Sequence, residues 1–354
     1  ETKLQHAFFF NTALVDFVIE NGHITPIKHQ RKNDKIEKLK CIGHSGLIAF
    51  SSGTTGEPKA ILHDFTKFLK KFFVKRHAYK SINFLLFDHV GGLNTMFHTL
   101  FNKGTIIVPP DRKINNIIDC CIKHKVEVLP TTPTFLRLLL ISGYVPNRIP
   151  HHLKIVTYGT ELMDAPTLNQ LCELLPNVDF RQTYGVSELG VLRVKSKARD
   201  SLFMKIGGEG VLTRVKNTIL EIKTQGAMEG YLNAASPFDE EGWYCTKDIV
   251  EKKDEFFRII GRISDVINVS GLKFMASDVE KVALDFEGVL FVKVYARDNP
   301  ISGQHCEMIV QPKELGKFNL DEYKDFLDRN LQGYMSPKKV KVGNVNVGHR
   351  FKKN

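Results

Sequence analysis

The sequence predicts an α/β protein with a large N-terminal domain, which holds a mostly parallel sheet and a small β-subdomain, and a smaller C-terminal α/β domain. The chain has 354 residues, 42% of them hydrophobic, which allows more than one core at about 150 residues per domain. Short apolar runs alternate with amphipathic helical patterns over residues 81–184, as in parallel strands covered by helices. From residue 207 the pattern changes to short strands and turns, and then to a second, smaller alternation.

The predicted elements follow in chain order. The first is an amphipathic helix, "HAFFFNTALVDFVIENG", whose acidic residues argue against a signal peptide. In the parallel region the strands are "SINFLLF", "VEVLP", "LKIVTYG" and "VDFRQTYG", and the helices are "NNIIDCCIKHK", "TPTFLRLLLIS" and "APTLNQLCELL". The C-terminal unit has helices "SDVEKVALDF" and "LDEYKDFLDRN" and strands "GVLFVKVYAR" and "HCEMIVQP". The predicted domains are 1–261 and 262–354.

Composition narrows the classes of function. The net charge of +11 suits polyanionic partners such as nucleotides, coenzyme A, an acidic carrier protein or nucleic acid. The lysines are scattered and no arginine-rich arm occurs, so we expect no nucleic-acid partner. The six cysteines show neither metal spacing nor a disulfide framework, which predicts a cytoplasmic location. No apolar stretch reaches the roughly 18 residues that a membrane span needs, so no membrane span is expected.

The stretch "SSGTTGEPKA" predicts an anion site after the apolar run "GLIAF". Its glycines and its proline interrupt both helices and strands, so it is a loop. Small hydroxyl side chains, open backbone amides and one lysine suit a phosphate. Two further stretches, "YGTE" and "YGVSE", follow predicted strands, and ligands of parallel sheets bind outside the carboxyl ends of the strands.

These stretches occur together with "HVGGLN", "QGAMEGYLN", "GWYCTKD" and "GRISDVINVSG", in the order found in adenylate-forming enzymes. From about residue 47 to its end the chain resembles this superfamily of acyl- and aryl-CoA ligases, peptide-synthetase adenylation domains and luciferases. The resemblance implies a mobile C-terminal domain and an acid–thiol ligase. Such an enzyme uses ATP and Mg²⁺ to activate a small carboxylic acid as its acyl-adenylate. The acyl group then passes to the thiol of coenzyme A (CoA) or of a carrier protein's phosphopantetheine arm.

The resemblance also implies roles for individual residues. Lys59 accompanies the departing pyrophosphate, and Glu188 holds Mg²⁺, for which a carboxylate oxygen is suitable. Tyr184 lies against adenine with Gln182 near the exocyclic amine, and Asp248 binds the ribose hydroxyls. The predicted nucleotide-binding residues are Ser51, Ser52, Gly53, Thr54, Thr55, Gly56, Gly159, Thr160, Glu161, Gln182, Tyr184, Gly185, Ser187, Asp248 and Arg262.

The stretch "FDHVGGLN" allows two alignments that differ in the substrate. In one, His89 and Gly91 lie at the mouth of an acyl or aryl pocket. In the other, Asp88 pairs with the ammonium group of an amino acid. We favour the first, because the second needs a two-residue shift before "NKGT". The predicted substrate residues are Asp88, His89, Gly91, Gly159, Tyr184 and Gly190.

Four departures from the family's pattern leave an alternative open. The family has a much longer segment before the phosphate loop than the 50 residues here, which implies a compact variant or a missing subdomain. The hinge position falls on Ser264, and Lys247 replaces a usual glycine. His349 follows Gly348 where the family has the lysine that stabilises charge during adenylation, and a histidine is mostly neutral at pH 7. The alternative is a catalytically degenerate nucleotide-binding homologue.

Overall fold

The computed structural model describes residues 3–27, 32–51, 57–87 and 89–345. The helices in these ranges are α1 (Lys3–Ala13), α2 (Asp34–Cys41), α3 (Phe65–Lys70), α4 (Val90–Phe101), α5 (Ile114–Lys123), α6 (Pro133–Ile141), α7 (Ala165–Leu174), α8 (Ala276–Leu284) and α9 (Leu320–Asn330). Short 3₁₀ turns cover Ile263–Asp265 and Leu315–Lys317.

The strands of the N-terminal half are β1 (Phe17–Glu20), β2 (His23–Pro26), β3 (Gly46–Ser51), β4 (Lys59–Asp64), β5 (Lys80–Ile82), β6 (Thr105–Ile107), β7 (Val128–Thr131), β8 (Ile155–Tyr158) and β9 (Asp179–Gln182). Those that follow are β10 (Gly185–Val186), β11 (Gly190–Val191), β12 (Arg193–Ser196), β13 (Met204–Gly207), β14 (Val211–Lys216), β15 (Ile219–Thr224), β16 (Gly230–Tyr231), β17 (Tyr244–Lys253), β18 (Phe256–Arg262), β19 (Val266–Val269), β20 (Leu272–Met275), β21 (Val289–Asn299), β22 (Gly303–Pro312) and β23 (Lys339–Val342).

The predicted α/β fold class is confirmed by a five-stranded parallel sheet of order β6-β5-β7-β8-β9. Helices α5, α6 and α7 bury their apolar faces on it in the largest core of the described residues. Thr131, Tyr158 and Gln182 are register partners and are the last residues of β7, β8 and β9. The loops that leave these three strands therefore begin side by side at one edge of the sheet.

The helices that cover this sheet begin at side-chain caps. Thr132 accepts a hydrogen bond from the backbone N–H of Phe135 at the start of α6, and Asp164 accepts one from Thr167 at the start of α7. Each cap satisfies an amide that has no partner within its helix. Asp164 also pairs with Arg137 of α6 at 2.6 Å, so the starts of α6 and α7 are tied together.

A three-stranded antiparallel sheet of order β16-β4-β3 carries the phosphate-loop motif. Its central strand β4 is buried from its second residue onward. Ser51 and Lys59 lie opposite each other in the β3–β4 register, so the loop between them starts and ends at the same place. Tyr231 of β16 pairs with Ile61 on the other side of β4.

Two further sheets complete the chain. The small β-subdomain is a six-stranded sheet of order β12-β13-β18-β17-β15-β14. The C-terminal sheet has the order β20-β19-β22-β21 with β23 parallel to β22, and α8 and α9 share its core. Sheet membership changes between Arg262, the last residue of β18, and Val266, the first of β19. The division into domains 1–261 and 262–354 stays a prediction.

The prediction of one long N-terminal helix is wrong beyond Ala13, where α1 ends. Phe17–Glu20 and His23–Pro26 instead form an antiparallel hairpin. Asn21 and Gly22 have φ angles of 50° and 81°, both in the left-handed region that a type I′ hairpin turn requires. The Asn-Gly pair between two β-branched segments outweighs the helical spacing of the apolar residues.

Two further expectations concern the cysteines and a membrane-spanning helix. All six cysteines are free thiols, which agrees with the absence of a predicted disulfide framework. Within the described ranges, no helix combines the length and apolar character needed to cross a membrane.

We predict that Asp64 stabilises the junction of β4 and α3. Its buried carboxylate caps α3 through the amide of Lys67 at 3.1 Å and binds His44 Nδ1 at 2.7 Å. Asp64→Ala should lower the free energy of unfolding by about 2–3 kcal/mol, and Asp64→Asn by less because its amide oxygen still caps. Urea titrations measure both, with Asp34→Ala on the exposed first turn of α2 as the control. Equal losses in Asp64→Asn and Asp64→Ala would show that the cap contributes nothing.

Candidate active site

Some of the predicted site residues lie outside the described part of the chain. They are Ser52, Gly53, Thr54, Thr55, Gly56, Asp88 and His349. The assignments of the remaining residues stay predictions, and their positions are given below.

Lys59 and Glu188, far apart in sequence, are brought together around Tyr231. The Tyr231 hydroxyl donates a hydrogen bond to Glu188 Oε1 at 2.7 Å. Lys59 Nζ lies 4.9 Å from the centroid of the same ring, within the range of a cation–π contact. Burial, together with this bond to Glu188, raises the pKa of Tyr231, so it stays a neutral donor. A lysine at the end of the phosphate-loop motif and a carboxylate thus face one aromatic ring.

Glu188 lies in the tight β10–β11 hairpin that follows Tyr184. Gly185 is required there, because a Cβ on it would lie 2.6 Å from the carbonyl oxygen of Gly190. Gly190 has a φ of 72°, which favours glycine. The carbonyl of Ser187 accepts a hydrogen bond from Nε2 of the buried His63 at 2.8 Å. His63 of β4 therefore fixes the turn of the β10–β11 hairpin through this hydrogen bond.

Tyr184, Asp248 and Arg262 form a second cluster. The Tyr184 hydroxyl donates to Asp248 Oδ2 at 2.6 Å, and Arg262 Nε donates to Asp248 Oδ1 at 3.0 Å. Asp248 is 4% exposed, and a buried carboxylate needs such partners. Burial and the charge of Asp248 raise the pKa of Tyr184. The predicted adenine and ribose residues are therefore in direct contact.

Tyr244 connects the two clusters. Burial raises its pKa, and the charge of Glu188 raises it further, whereas Arg262 opposes the change. The charges of Glu188 and Arg262 thus both act on this phenol, in opposite directions. The metal-binding and ribose-binding predictions therefore refer to one neighbourhood of the molecule.

The backbone angle of Lys247 explains why the family's pattern has a glycine at this position. Its φ is 61°, in the left-handed region where a lysine is strained. The strand distorts just beyond it, with a register shift between Ile249 and Val250. Asp248 nevertheless pairs directly with Arg262 across β17 and β18. The replacement strains the backbone without displacing the carboxylate.

Residues after β8 and β9 surround the predicted adenine position. Gly159 approaches Thr183 so closely that a Cβ on Gly159 would lie 2.2 Å from Thr183 Oγ1. Gln182 Oε1 is buried and has no hydrogen-bond partner, so it can accept a hydrogen bond from a ligand amine. Thr160 is exposed with a φ of 71°. Glu161 instead receives the amide of Thr134 at 3.1 Å and caps α6.

The predicted substrate and hinge residues occupy the ends of elements. His89 is the N-cap of α4, and its Nδ1 lies 3.5 Å from the amide nitrogen of Gly91. A Cβ added at Gly91 would meet no atom within 4 Å, so space is open there. Ser264 lies in the 3₁₀ turn between the two large sheets and donates its hydroxyl to Asp265 at 3.0 Å.

The residues present fit ATP and Mg²⁺. The unpartnered Gln182 Oε1 suits the adenine amine, and the paired Asp248 suits ribose hydroxyls. No group of three or more histidine, cysteine or acidic residues among the described residues could enclose a metal ion. A single carboxylate is compatible with Mg²⁺, because this ion commonly binds through one or two carboxylates together with substrate phosphates, and Glu188 stays the predicted ligand.

The sequence motifs do not predict the side chains that fix these residues through hydrogen bonds. Tyr231 and His63 are two such partners, and Asn233 is a third. Asn233 accepts the amide of Ala60 at 2.8 Å and donates to the carbonyl of Pro58 at 2.9 Å, bracing the exit of the phosphate-loop motif. The motif "GYLN" contains Tyr231 and Asn233, but their roles depend on pairing between β16 and β4.

Comparisons with known proteins show what this chain is similar to. A sequence model described as "AMP-binding enzyme" matches residues 26–227. The chain is 23% identical to 4-coumarate–CoA ligase 4 of Arabidopsis thaliana over 333 residues, which cover 83% of this chain and 57% of that protein. It is 27% identical to 3,4-dihydroxybenzoate–aryl-carrier protein ligase of Bacillus anthracis over 324 residues, which cover 87% of this chain and 73% of that protein.

A solved structure shares the fold. It is o-succinylbenzoate CoA synthetase of Bacillus subtilis, in complex with its acyl-adenylate intermediate. It matches with a TM-score of 0.75 and 16% identity, over 99% of this chain and 80% of that one. The chain thus spans most of this synthetase but little more than half of the plant ligase.

We predict that His63 makes stability depend on pH. Burial lowers its pKa, and the Ser187 carbonyl accepts from Nε2–H, so the folded protein holds neutral His63. As the pH falls below the unfolded value of about 6.5, the unfolded chain gains a proton that the folded chain resists, and stability falls. His63→Gln keeps an amide donor and should flatten this fall between pH 7 and 5 by up to about 1.4 kcal/mol per pH unit.

Urea unfolding at a series of pH values measures the effect, and His124→Gln, at an exposed position after α5, is the control. If both variants keep the native pH slope, His63 is not the titrating group.

Proposed function

We propose that this chain, which belongs to the AMP-binding enzyme family, uses ATP to convert a small carboxylic acid to its acyl-adenylate and passes the acyl group to a thiol. The observation that carries the proposal is the meeting of two clusters around Tyr244. One is Lys59–Tyr231–Glu188, and the other is Tyr184–Asp248–Arg262. Together they supply a cation and a carboxylate for a metal–phosphate group, and a carboxylate and an aromatic ring for a nucleoside.

The residues of the two clusters, together with Gln182, have roles in the first half-reaction, the formation of the acyl-adenylate. Tyr184 lies against adenine, and Gln182 accepts from its amine through the unpartnered Oε1. Asp248 accepts from the ribose hydroxyls, held in place by its two donors. Lys59 balances the charge of the departing pyrophosphate. Mg²⁺, bound through Glu188 and the phosphates, supplies additional charge neutralisation at the phosphoryl groups.

The second half-reaction needs a thiol acceptor. Of the two curated relatives, one is named as a CoA ligase and the other as an aryl-carrier-protein ligase, so coenzyme A and a carrier protein are both proposed acceptors. We assign the hinge to Ser264, whose short 3₁₀ turn joins two separate sheets. Motion there would present different faces of the C-terminal sheet to the acyl-adenylate. Free cysteines support the proposed cytoplasmic location.

Exchange of labelled pyrophosphate into ATP tests the function. The panel contains fatty, aryl, hydroxy and amino acids, each with and without Mg²⁺. We expect exchange with one acid class, and thioester formation when coenzyme A or a phosphopantetheinylated carrier protein is then added. ATP binding without exchange across the panel would favour a degenerate homologue.

We predict that Glu188→Gln abolishes Mg²⁺-dependent exchange while leaving the fold intact. The amide still accepts from Tyr231 but carries no charge for the metal ion, so the rate should fall by at least about 10²-fold. Glu251→Gln is the matched control, because Glu251 is an exposed carboxylate of β17 that faces Arg258. A near-native rate in Glu188→Gln with an unchanged melting temperature would remove Glu188 from the metal site.

We predict that Asp248→Asn weakens ATP binding more than it slows chemistry on bound ATP. Hydrogen bonds to a charged acceptor are each worth about 1.5–3 kcal/mol, so the ATP dissociation constant should rise about tenfold or more. Asp254→Asn, in the turn after β17 with a φ of 55°, is the control. Calorimetric titration with ATP measures both, and a change below about twofold in Asp248→Asn would contradict the ribose assignment.

A further inference from the structure

A cavity of about 640 Å³ lies between α3, β11 and β12, and the loop that joins β13 to β14. Of the described residues that we assign to nucleotide or substrate, Gly190 alone lines it. Its size is that of a pocket for a small organic ligand. Lys59, Tyr184, Glu188 and Asp248, the residues that we assign to ATP and Mg²⁺, are not in its lining.

The lining of this cavity carries an excess of positive charge. Lys67, Lys70, Lys71 and Arg193 face one acidic residue, Glu209. The ammonium of Lys67 is already paired with a carboxylate outside the cavity lining, at 2.6 Å. Within the described chain, neither Lys70, Lys71 nor Arg193 has a carboxylate oxygen within 4.0 Å.

Lys71, the C-cap residue of α3, is one of the cations that line the cavity. Its Nζ donates to the carbonyl of Val191 at 2.8 Å and lies 5.2 Å and 4.8 Å from the ring centroids of Phe68 and Phe72. Burial, and then the charge of Arg193, lowers the pKa of Lys71 to about 8. The ammonium is thus stabilised by one neutral carbonyl and two rings. A bound anion would supply the negative charge that these neutral groups do not provide.

The rest of the floor is apolar. Phe68 and Leu189 are buried and line the cavity beside Lys71. Arg193 stands at the rim, where its side chain covers Gly208, whose added Cβ would lie 3.2 Å from Arg193 Cδ. Cationic groups and an apolar floor are thus within reach of one small molecule.

We propose that this cavity binds a small organic anion, whose carboxylate or phosphate group contacts Lys71 and Arg193 while an apolar body lies against Phe68 and Leu189.

Pyridoxal 5′-phosphate is the probe for the test. Its aldehyde condenses with a neutral lysine amine to an imine and water, and borohydride reduces the imine to a stable amine that peptide mass mapping locates. Pyridoxal, which has the aldehyde but no phosphate, is the comparison reagent. Near pH 8 we expect Lys71 to be labelled faster by the phosphate ester than by pyridoxal, because charge-assisted bonds hold the phosphate. Pyridoxal closes on itself as a cyclic hemiacetal and reacts more slowly with any amine, so Lys123, exposed on α5, supplies the baseline ratio, which the ratio at Lys71 should exceed about tenfold.

Competition identifies the head group. Inorganic phosphate or succinate should protect Lys71, and the better competitor shows whether the natural ligand carries a phosphate or a carboxylate. MgATP should not protect Lys71. A ratio at Lys71 no higher than that at Lys123, no protection by either anion, or protection by MgATP would each overturn the proposal.

Arg193→Gln tests the contact at the rim without removing the labelled lysine. Arg193 is exposed, so the fold should tolerate the change. The preference of Lys71 for the phosphate ester should fall about tenfold. Lys195→Gln, on the same strand but outside the cavity lining, is the matched control and should leave the preference unchanged. An unchanged preference in Arg193→Gln would show that the anion does not contact Arg193.

Discussion

Two buried carboxylates, Glu188 and Asp248, control how the sheets of this protein meet. A carboxylate removed from water destabilises the fold unless donors surround it. Glu188 takes its donor, Tyr231, from the three-stranded sheet, whereas Asp248 takes Arg262 from its own sheet, the β-subdomain. Tyr184, which leaves the parallel sheet, supplies the second donor to Asp248. The groups that would handle ATP therefore also join three separate sheets.

Two of the side chains that donate to these carboxylates are phenols, Tyr184 and Tyr231. Burial raises the pKa values of Tyr184 and Tyr231, so neither loses its proton near neutral pH. A neutral donor leaves the carboxylate its full charge, whereas a lysine would cancel it. Glu188 therefore keeps its negative charge for a metal ion while it accepts a hydrogen bond from Tyr231.

The sequence predicted the parallel sheet and the C-terminal α/β unit well, because alternating apolar runs and proline-marked helix starts are local signals. It failed at the N-terminus, where Asn21-Gly22 turns a segment with helical spacing into a hairpin. In the site it named Glu188 and Asp248 from motifs, but not Tyr231 or His63. Tyr231 pairs with β4 and His63 belongs to it, and both act on the β10–β11 hairpin from far away in the sequence, as the contact of His63 with Ser187 shows at a separation of 124. No local pattern encodes such a pairing.

Arg262 has a mechanical meaning beyond its hydrogen bond. It is the last residue of β18, it is held by Asp248, and the proposed hinge at Ser264 follows two residues later. If the C-terminal domain turns at the proposed hinge, the first residue to resist the motion would be Arg262, which is held by a buried carboxylate. This contact would keep the motion from reaching the nucleoside pocket.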